Sequence, residues 1–511
     1  MTATQPTAPS RRARLWRIVL VTAVFLAALG IRLYDLTDLP LDFHPTRQLF
    51  SALKARGIYY QSAPGVPDWQ RQMAIDQWQQ QATIEPPVLE FIVAETYQLA
   101  GNADLWIARI YSIVFWMLGG AAVYLLAKEL TSWTGGLAAA SFFLFLPYGI
   151  IASRSFQPDP LMVALTAGFL WALIRWQSAR TWRWAVAAGL FGGLAIVIKT
   201  TAVFFVAGGL AGVLLGVIGL RQALRNRQAW LIGGLILLPT AAYYIYGVAV
   251  AGYLGQQFGG RFVPSLLVSP AFYLGWESNI NTVVGRLPFA LALFGTLLFA
   301  NKPARSLAFG LWGGYLAYGI LFNYHNSTHD YYQLPLILIT ALCLAPLAET
   351  LTVRLGAVWQ TRFPVRAAAA LLLVFSLVMT SWDVRRELRN TDYRPQAEFW
   401  ASMGGMLGHD RSIVGLTQDY GYRAEYWGWM HITNWPSLGD LQYQALAFGA
   451  ESNFEDTFAT LTNGREFFLV TDFEEFDRQT QLQELLYARY PVFAQSDDFI
   501  IFYLLYPLAA P

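Results

Sequence analysis

The sequence predicts an α-helical polytopic membrane protein, with about eleven transmembrane helices followed by a water-soluble C-terminal α/β domain. Hydrophobic residues make up 55% of the 511 residues and charged residues only 13%, against roughly 25% charged in an ordinary soluble domain. Long apolar runs recur up to residue 382, and many Trp and Tyr residues fall at their ends, as they do at membrane interfaces. Beyond that residue the apolar runs are short.

A transmembrane helix needs about 20 apolar residues, or somewhat fewer where protein covers its ends. Eleven runs meet this requirement, although only Lys199 separates the fifth from the sixth. The predicted spans are Trp16–Leu33, Leu105–Ala127, Gly136–Ala152, Leu161–Trp176, Trp184–Ile198, Thr200–Leu220, Trp230–Val250, Val283–Ala300, Leu307–Phe322, Tyr332–Ala348 and Ala367–Trp382.

The basic residues of the short loops predict the orientation, because cytoplasmic loops carry an excess of Lys and Arg. With a cytoplasmic N-terminus, the short outer loops hold only Arg154, Lys199, Arg261 and Arg286. The inner loops hold Arg11, Arg12, Arg14, Arg17, Lys128, Arg175, Arg180, Arg183, Arg221, Arg225, Arg227, Lys302, Arg305, Arg354, Arg362 and Arg366. The C-terminal domain is therefore expected outside. A cleavable signal peptide is the alternative for the basic start, but no convincing cleavage site precedes Tyr34.

Two outer segments are too long to be simple connectors. The first outer loop, residues 34–104, contains the helical pattern TRQLFSALKARGIYY and the interfacial segment EPPVLEFIVAETYQLAG. Residues 383–511 contain the short apolar runs SIVGLT, EFFLVTD and FIIFYLL, with a helix-like QTQLQELLYARY between the last two. This alternation predicts a small α/β domain. The chain thus divides into a membrane domain, 1–382, and an extracytoplasmic domain, 383–511, which shows no catalytic motif.

Two observations exclude other classes of protein. The net charge is only +2 and the charges are spread along the chain, so a nucleic-acid partner is not expected. Cys343 is the single cysteine and lies in an apolar run, which excludes an intramolecular disulfide and a cysteine-built zinc site.

Charged groups at the outer face of a helix bundle are functional candidates, because their exposure to lipid is costly. Asp42, in LPLDFHPTRQ, is either a general base or a solvated loop acid, and Glu85 either acts in the site or occupies a proline-fixed turn. Asp159, followed by Pro160, has the pattern of a helix N-cap, and this structural role is favoured. Lys199 is suited to an anionic head group, with snorkelling to the interface as the alternative.

The same face carries further candidates for binding a substrate. In STHDYYQLPL, Asp330 is interpreted as a helix cap and His329 as a phosphate ligand. The other candidates are His44, Arg47, Arg154 and Tyr332.

Five segments carry a resemblance to a known superfamily. They are, in order, RLYDLTDLPLDFHP, EPPVLEFIVAETYQLAGNADLWIARI, ASRSFQPDPLMVALT, GGLAIVIKTTAVF and HDYYQLPL, and they run from residue 32 to residue 335. Their order resembles the GT-C superfamily of membrane glycosyltransferases. The closest likeness is to the family 39 protein mannosyltransferases, the lipid A aminoarabinose transferases and the bacterial proteins grouped with them.

The resemblance implies a GT-C-like fold and an inverting transferase. Such an enzyme takes a hexose or pentose from a polyprenyl-phosphate carrier and transfers it on the extracytoplasmic side. The acceptor is a lipid, a glycan or a protein, and the location is the bacterial plasma (inner) membrane. By position, the resemblance also implies that Asp42 is the essential acid of the first outer loop, and that Glu85, Asp159 and Lys199 correspond to the family's other charged site residues.

One departure from the family pattern concerns the first outer loop. Many relatives carry an adjacent Asp-Glu pair shortly after a His-Pro-like step, whereas here His44-Pro45 is followed by Thr46-Arg47. Either Asp42 takes over the role from four residues upstream, or the chain is not a conventional member of the family.

The implied chemistry agrees with the residue types. Asp42 could remove the proton of a hydroxyl acceptor, and Lys199, Arg154 or His329 could stabilise the leaving phosphate. No glycine-rich nucleotide loop is visible, and a lipid-linked donor needs none. A divalent metal bound through Asp42, His44 and Glu85 is an open alternative. Two rival functions remain, a transporter or lipid flippase, and a catalytically inactive relative that binds polyprenyl lipid.

Overall fold

The computed structural model describes residues 10–254, 259–361, 363–450 and 453–508. The first helix, α1 (Arg11–Arg32), is capped by Ser10, whose Oγ accepts a hydrogen bond from the Ala13 amide at 3.2 Å. The whole first outer loop is described, and its helices are α2 (Pro45–Tyr60), α3 (Asp68–Gln80) and α4 (Val88–Ala100). The helical pattern predicted from TRQLFSALKARGIYY is thus confirmed.

Most of the remaining helices of the membrane domain follow the predicted spans. Pro147 divides the third span into two helices, because its ring blocks the helix and it lacks an amide N–H. The helices are α5 (Trp106–Leu130), α6 (Trp133–Phe145), α7 (Pro147–Ala152), α8 (Asp159–Ala179), α9 (Trp182–Ile198), α10 (Ala202–Val213), α11 (Leu220–Arg225), α12 (Arg227–Ile245), α13 (Pro270–Val283), α14 (Arg286–Leu297), α15 (Lys302–Leu321), α16 (Asn323–Thr328), α17 (Leu334–Thr361) and α18 (Phe363–Asn390).

Each of the eleven predicted spans coincides with one or two of these helices. Within the described residues, five helices are long and apolar enough to cross a membrane, or six if α13 and α14, bent by 92°, count as one broken span. Three further apolar helices are shorter. The helical membrane architecture is confirmed. Arg362, one of the predicted inner basic residues, lies outside the described residues.

Glycines bring α10 and α15 into close contact. A Cβ atom at Gly310 would lie 2.2 Å from the Gly208 carbonyl oxygen, and one at Gly212 would lie 2.4 Å from the Ser306 carbonyl oxygen. Both obstacles are backbone atoms, which cannot move aside as a side chain can. Small residues allow this approach between membrane helices, and here they fix α10, which begins just after Lys199.

The C-terminal domain confirms the predicted α/β architecture. The helix α18 continues past residue 383 to Asn390 and is followed by α19 (Arg394–Leu407). The strands are β1 (Ser412–Leu416), β2 (His431–Asn434), β3 (Phe467–Val470), β4 (Val492–Gln495) and β5 (Ile500–Tyr503). The helices between them are α20 (Tyr422–Gly428), α21 (Leu438–Phe448), α22 (Phe454–Thr462), α23 (Phe473–Arg478) and α24 (Thr480–Arg489).

These strands form one sheet in the order β2-β1-β3-β5-β4. β1 is parallel to β2 and β3, whereas β5 is antiparallel to β3 and β4. The three short apolar runs predicted as strands form β1, β3 and β5, and the predicted helix between the last two forms α24. The sequence interpretation missed β2 and β4, because neither has a fully buried apolar run.

Arg56 of α2 docks the C-terminal domain onto the first outer loop. Its guanidinium lies 4.0 Å from the ring centroid of Trp429 and 4.5 Å from that of Tyr426. It donates hydrogen bonds to the carbonyl of Tyr426 and, at 3.0 Å, to that of Glu425. Gln77 of α3 also donates to the Glu425 carbonyl, at 3.2 Å. The ring of Tyr426 packs into the apolar core of the loop, so loop and domain form one packed unit.

The carboxyl group of Glu425 is buried at this contact, and burial raises its pKa from 4.5 to about 8, against the opposing effect of the Arg56 charge. The folded state therefore holds the proton more tightly than the unfolded chain. This contribution to stability is full below pH 4.5 and is lost as the pH rises through about 8.

We therefore expect Glu425→Gln to stabilise the protein at pH 9 by about 1–4 kcal/mol, because a neutral amide replaces a buried carboxylate. The variant should have nearly the wild-type stability at pH 5, as measured by thermal unfolding in mild detergent. Glu474→Gln, an exposed position of the same domain, is the control and should change neither value. An equal change in stability at both pH values would contradict the link between the raised pKa of Glu425 and the free energy of unfolding.

Candidate active site

A cleft lies where the first outer loop, the end of α9, the segment before α17 and the C-terminal domain meet. Its volume is about 390 Å³, within the range of small-ligand pockets. A narrower recess adjoins it beside Thr200 and Tyr244. The residues of the cleft that the argument uses are Arg47, Glu85, Lys199, Arg261, His325, His329, Tyr331, Tyr332, Tyr443 and Phe448.

Lys199 occupies the junction of α9 and α10. Its ammonium donates to both carboxylate oxygens of Asp159, at 2.8 and 2.9 Å, and these side chains are 5% and 1% exposed. The ring centroids of Tyr331 and Tyr332 each lie 4.9 Å from Nζ. An ammonium has three donors, so the bonds to Asp159 leave one for a ligand in the cleft.

The interpretation of Asp159 as an N-cap is wrong. Pro158 is the N-cap residue of α8, and Asp159 is the first helical residue. Its carboxylate turns to Lys199, because the buried ammonium needs a counter-charge more than the helix terminus does. Asp159 thus positions Lys199.

Arg47 and Glu85 form a second ion pair at the cleft. Arg47 Nη2 lies 2.6 Å from Glu85 Oε2, with side-chain exposures of 14% and 12%. Burial raises the pKa of Glu85, but the charges of Arg47 and Lys199 outweigh it and hold the pKa below its usual value. Glu85 is therefore an ionised acceptor at neutral pH. The other terminal nitrogen, Arg47 Nη1, is buried and has no hydrogen-bond partner among the described residues.

The two histidines of the cleft are neutral at neutral pH. Burial, with the Arg261 charge, lowers the pKa of His325 to about 3. Burial and the neighbouring His44 also lower the pKa of His329. The positive charge of the described cleft thus comes from Arg47, Lys199 and Arg261, and His329 can offer a phosphate only a neutral donor.

Asp42 lies apart from the cleft lining. Its Oδ1 is 3.0 Å from Nη2 of Arg109, a fully buried side chain of α5, and 3.5 Å from Nε2 of Gln48. The same Arg109 nitrogen donates to the Leu39 carbonyl at 2.8 Å. Asp42 is 9% exposed and helps to fold the start of the loop onto α5.

His44 and Arg154 also serve the loop. His44 adopts a left-handed backbone conformation with φ 44°, and its Nε2 lies 2.6 Å from Asp330 Oδ1, so Asp330 is bound to the loop. The Arg154 guanidinium donates to the carbonyls of Tyr34 and Asp35, at 2.6 and 2.8 Å, and only 1% of Arg154 is exposed. These side chains hold the loop over the bundle.

The structure therefore brings together five of the predicted site residues, Arg47, Glu85, Lys199, His329 and Tyr332. The described lining excludes Asp42, His44, Arg154 and Asp159. Sequence reasoning missed Arg261, His325, Tyr331 and Tyr443. The only signal for Arg261 was its charge in a short outer loop, and Tyr443 gave none because it belongs to the separate C-terminal domain.

The proposed metal ligands have separate partners. Asp42 is bound to Arg109, His44 to Asp330 and Glu85 to Arg47. Within the described residues, no group of three or more His, Cys, Asp and Glu residues is placed to hold a metal ion. A metal site remains an untested prediction.

The comparisons with known proteins agree with the resemblance seen in the sequence. A family model described as dolichyl-phosphate-mannose-protein mannosyltransferase matches residues 84–246. No curated protein gives a significant match to the sequence.

Solved structures extend the likeness to nearly the whole chain. ArnT from Cupriavidus metallidurans bound to undecaprenyl phosphate aligns with a TM-score of 0.60 at 16% identity, covering 96% of this chain and 98% of that chain. Its apo state gives a TM-score of 0.58 with the same identity and coverage. The archaeal oligosaccharyltransferase AglB from Archaeoglobus fulgidus, in complex with an inhibitory peptide and a dolichol-phosphate, gives 0.54 at 12% identity, covering 96% of this chain and 74% of that chain. These structures share the fold.

Proposed function

We propose that the protein is an inverting glycosyltransferase that moves a hexose or pentose from a polyprenyl-phosphate carrier to an acceptor hydroxyl. We place the reaction on the extracytoplasmic side of a bacterial plasma membrane. The observation that carries the proposal is the convergence of Arg47, Lys199 and Arg261 on one cleft. A leaving polyprenyl phosphate builds up negative charge, which fixed cations in a water-poor site stabilise strongly.

Two further observations support a phosphate ligand. The buried Nη1 of Arg47 has no hydrogen-bond partner among the described residues, and such groups in proteins usually have one. ArnT, which shares the fold, has been solved with undecaprenyl phosphate bound.

For the general base we favour Glu85, because it lines the cleft, whereas the described lining does not include Asp42. Glu85 takes the acceptor proton as the hydroxyl attacks the anomeric carbon. Asp42, the base expected from the family resemblance, then acts by holding the loop in place. A transporter or an inactive relative would bind the carrier without transferring the sugar.

Lys199→Gln tests the contact with the carrier. The change keeps a hydrogen-bonding group beside Asp159 but removes the charge. We expect the affinity for undecaprenyl phosphate to fall by about 1–3 kcal/mol, the worth of one charge-assisted hydrogen bond. The measurement is a lipid titration of the protein in nanodiscs.

Arg286→Gln is the matched control, because it removes an equal charge from an exposed position outside the cleft lining. It should leave the affinity unchanged, and Lys199→Arg should restore most of it. An unaltered affinity in Lys199→Gln would mean that the lysine serves only as the buried partner of Asp159.

Glu85→Gln and Asp42→Asn distinguish the two candidate bases. An amide cannot accept the proton, so we expect Glu85→Gln to slow transfer by about 10²–10⁴-fold. Asp42→Asn should have a smaller effect, because it keeps the size of the group that Arg109 contacts. Transfer is measured as the loss of labelled sugar from a polyprenyl-phosphate donor in membranes of the native host. The reverse order of effects would assign the base to Asp42, and two fully active variants would place the reaction elsewhere.

The sidedness is tested by cysteine labelling in a Cys343→Ala background. Single cysteines replace Gln80 in the first outer loop, Arg225 in a predicted inner loop and Asn463 in the C-terminal domain, all exposed positions. A membrane-impermeant thiol reagent should label the first and third sites in intact cells and spare the second. Labelling of the Arg225 site in intact cells would refute the orientation.

A further inference from the structure

A second opening lies in the C-terminal domain and borders the cleft. This space, here called the C-terminal groove, has a volume of about 800 Å³ and lies between α21, α22 and the end of β2. Tyr443 and Phe448 of α21 line both the groove and the cleft. The two openings are therefore adjacent across a wall of two aromatic side chains.

Contacts with the membrane domain fix this wall in place. The ring centroid of Tyr443 lies 4.4 Å from that of Tyr324 and 6.1 Å from that of His325. A Cβ atom at Gly260 would come within 2.4 Å of the Tyr443 hydroxyl and 2.9 Å of Phe448 Cζ, so the two rings pack directly over this glycine. Gly260 also has φ 71°, a left-handed conformation that favours glycine.

The rim of the groove is tied to the cleft at a second point. The hydroxyl of Tyr420 donates to Asp440 Oδ1 at 2.8 Å. The preceding residue, Asp419, accepts a hydrogen bond from the Thr46 hydroxyl at 2.9 Å, one residue before Arg47 of the cleft. Asp419 and Tyr420 both adopt left-handed backbone conformations, with φ 54° and 58°. Such strain persists only where its surroundings impose it.

The groove differs from the cleft in its chemistry. Its described lining contains aromatic, amide, hydroxyl and carboxylate side chains, but no Lys, Arg or His. Amide and hydroxyl groups both donate and accept hydrogen bonds, and carboxylates accept them, as the hydroxyls of a sugar require. The carboxylates would repel a phosphorylated head group. The residues that define this character are Tyr420, Asn434, Asp440, Gln444, Asp456 and Thr460.

We infer that the C-terminal groove binds the acceptor of the transfer reaction and that this acceptor is a neutral glycan. The inference rests on the proposed function. An acceptor hydroxyl reaches past Tyr443 to the donor in the cleft. Its oxygen bonds to the anomeric carbon, the bond from that carbon to the carrier phosphate oxygen breaks, the electron pair leaves with the phosphate, and the proton passes to the base.

The test uses the full chain in nanodiscs and three kinds of probe. The first is a panel of neutral linear hexasaccharides of glucose, mannose, galactose and xylose. The second is the anionic hyaluronan hexasaccharide, and the third is an unstructured peptide rich in Ser and Thr. Binding is measured by saturation-transfer NMR and calorimetry. We expect at least one neutral hexasaccharide to bind, and the anionic one to bind at least tenfold more weakly.

Two variants, Gln444→Ala and Thr460→Trp, test whether the neutral glycan binds in the groove. The first removes a polar contact and the second fills the space, so each should weaken neutral glycan binding about tenfold. Gln481→Ala and Gln481→Trp, at an exposed position of α24, make the same kinds of change elsewhere on the domain and should have no effect. Binding that resists both groove variants would overturn the inference.

Three other outcomes would also overturn it: binding of the peptide alone, preference for the anionic glycan, and binding of no glycan. Undecaprenyl phosphate is titrated into the same samples. Normal carrier binding without glycan binding removes only the acceptor assignment, whereas failure to bind the carrier counts against the proposed function itself.

Discussion

The buried ion pair between Lys199 and Asp159 is the interaction on which the cleft depends. Both side chains are almost fully buried, and an isolated ion of either sign at such a place costs several kcal/mol. Asp159 opens α8, and Lys199 directly follows α9. Their bond therefore fixes the ends of two membrane helices against each other. The small-residue contact between α10 and α15 fixes the next helix after Lys199 as well.

Polar contacts between distant parts of the chain also hold the first outer loop in place. Arg47 meets Glu85 across the loop, Asp42 meets Arg109 of α5, and His44 meets Asp330 before α17. Each contact joins parts of the chain that are distant in sequence. A single cysteine excludes an intramolecular disulfide, so these polar contacts, together with the packed helices, give the loop its defined position over the bundle.

The sequence predicts the fold much more completely than it predicts the site. Apolar runs are local and long, so spans and buried strands such as β3 follow directly from them. The partner of a charged side chain is a tertiary property. The sequence around Asp159 indicated a helix cap, yet its carboxylate binds Lys199 instead. Asp42 and Glu85 had similar local signals. Only the folded chain shows that Glu85 lines the cleft while Asp42 contacts Arg109.

The C-terminal domain illustrates why a domain without a catalytic motif still belongs to the site. Its described contribution to the cleft, Tyr443 and Phe448, is aromatic, whereas the cations come from the membrane domain. Aromatic walls exclude water, and charges interact more strongly where water is excluded. Such a role leaves no pattern of acids, bases or ligands in the sequence. Arg56, Thr46 and Gly260 of the membrane domain all contact the C-terminal domain. The same set of contacts therefore positions the aromatic wall and the cations of the cleft.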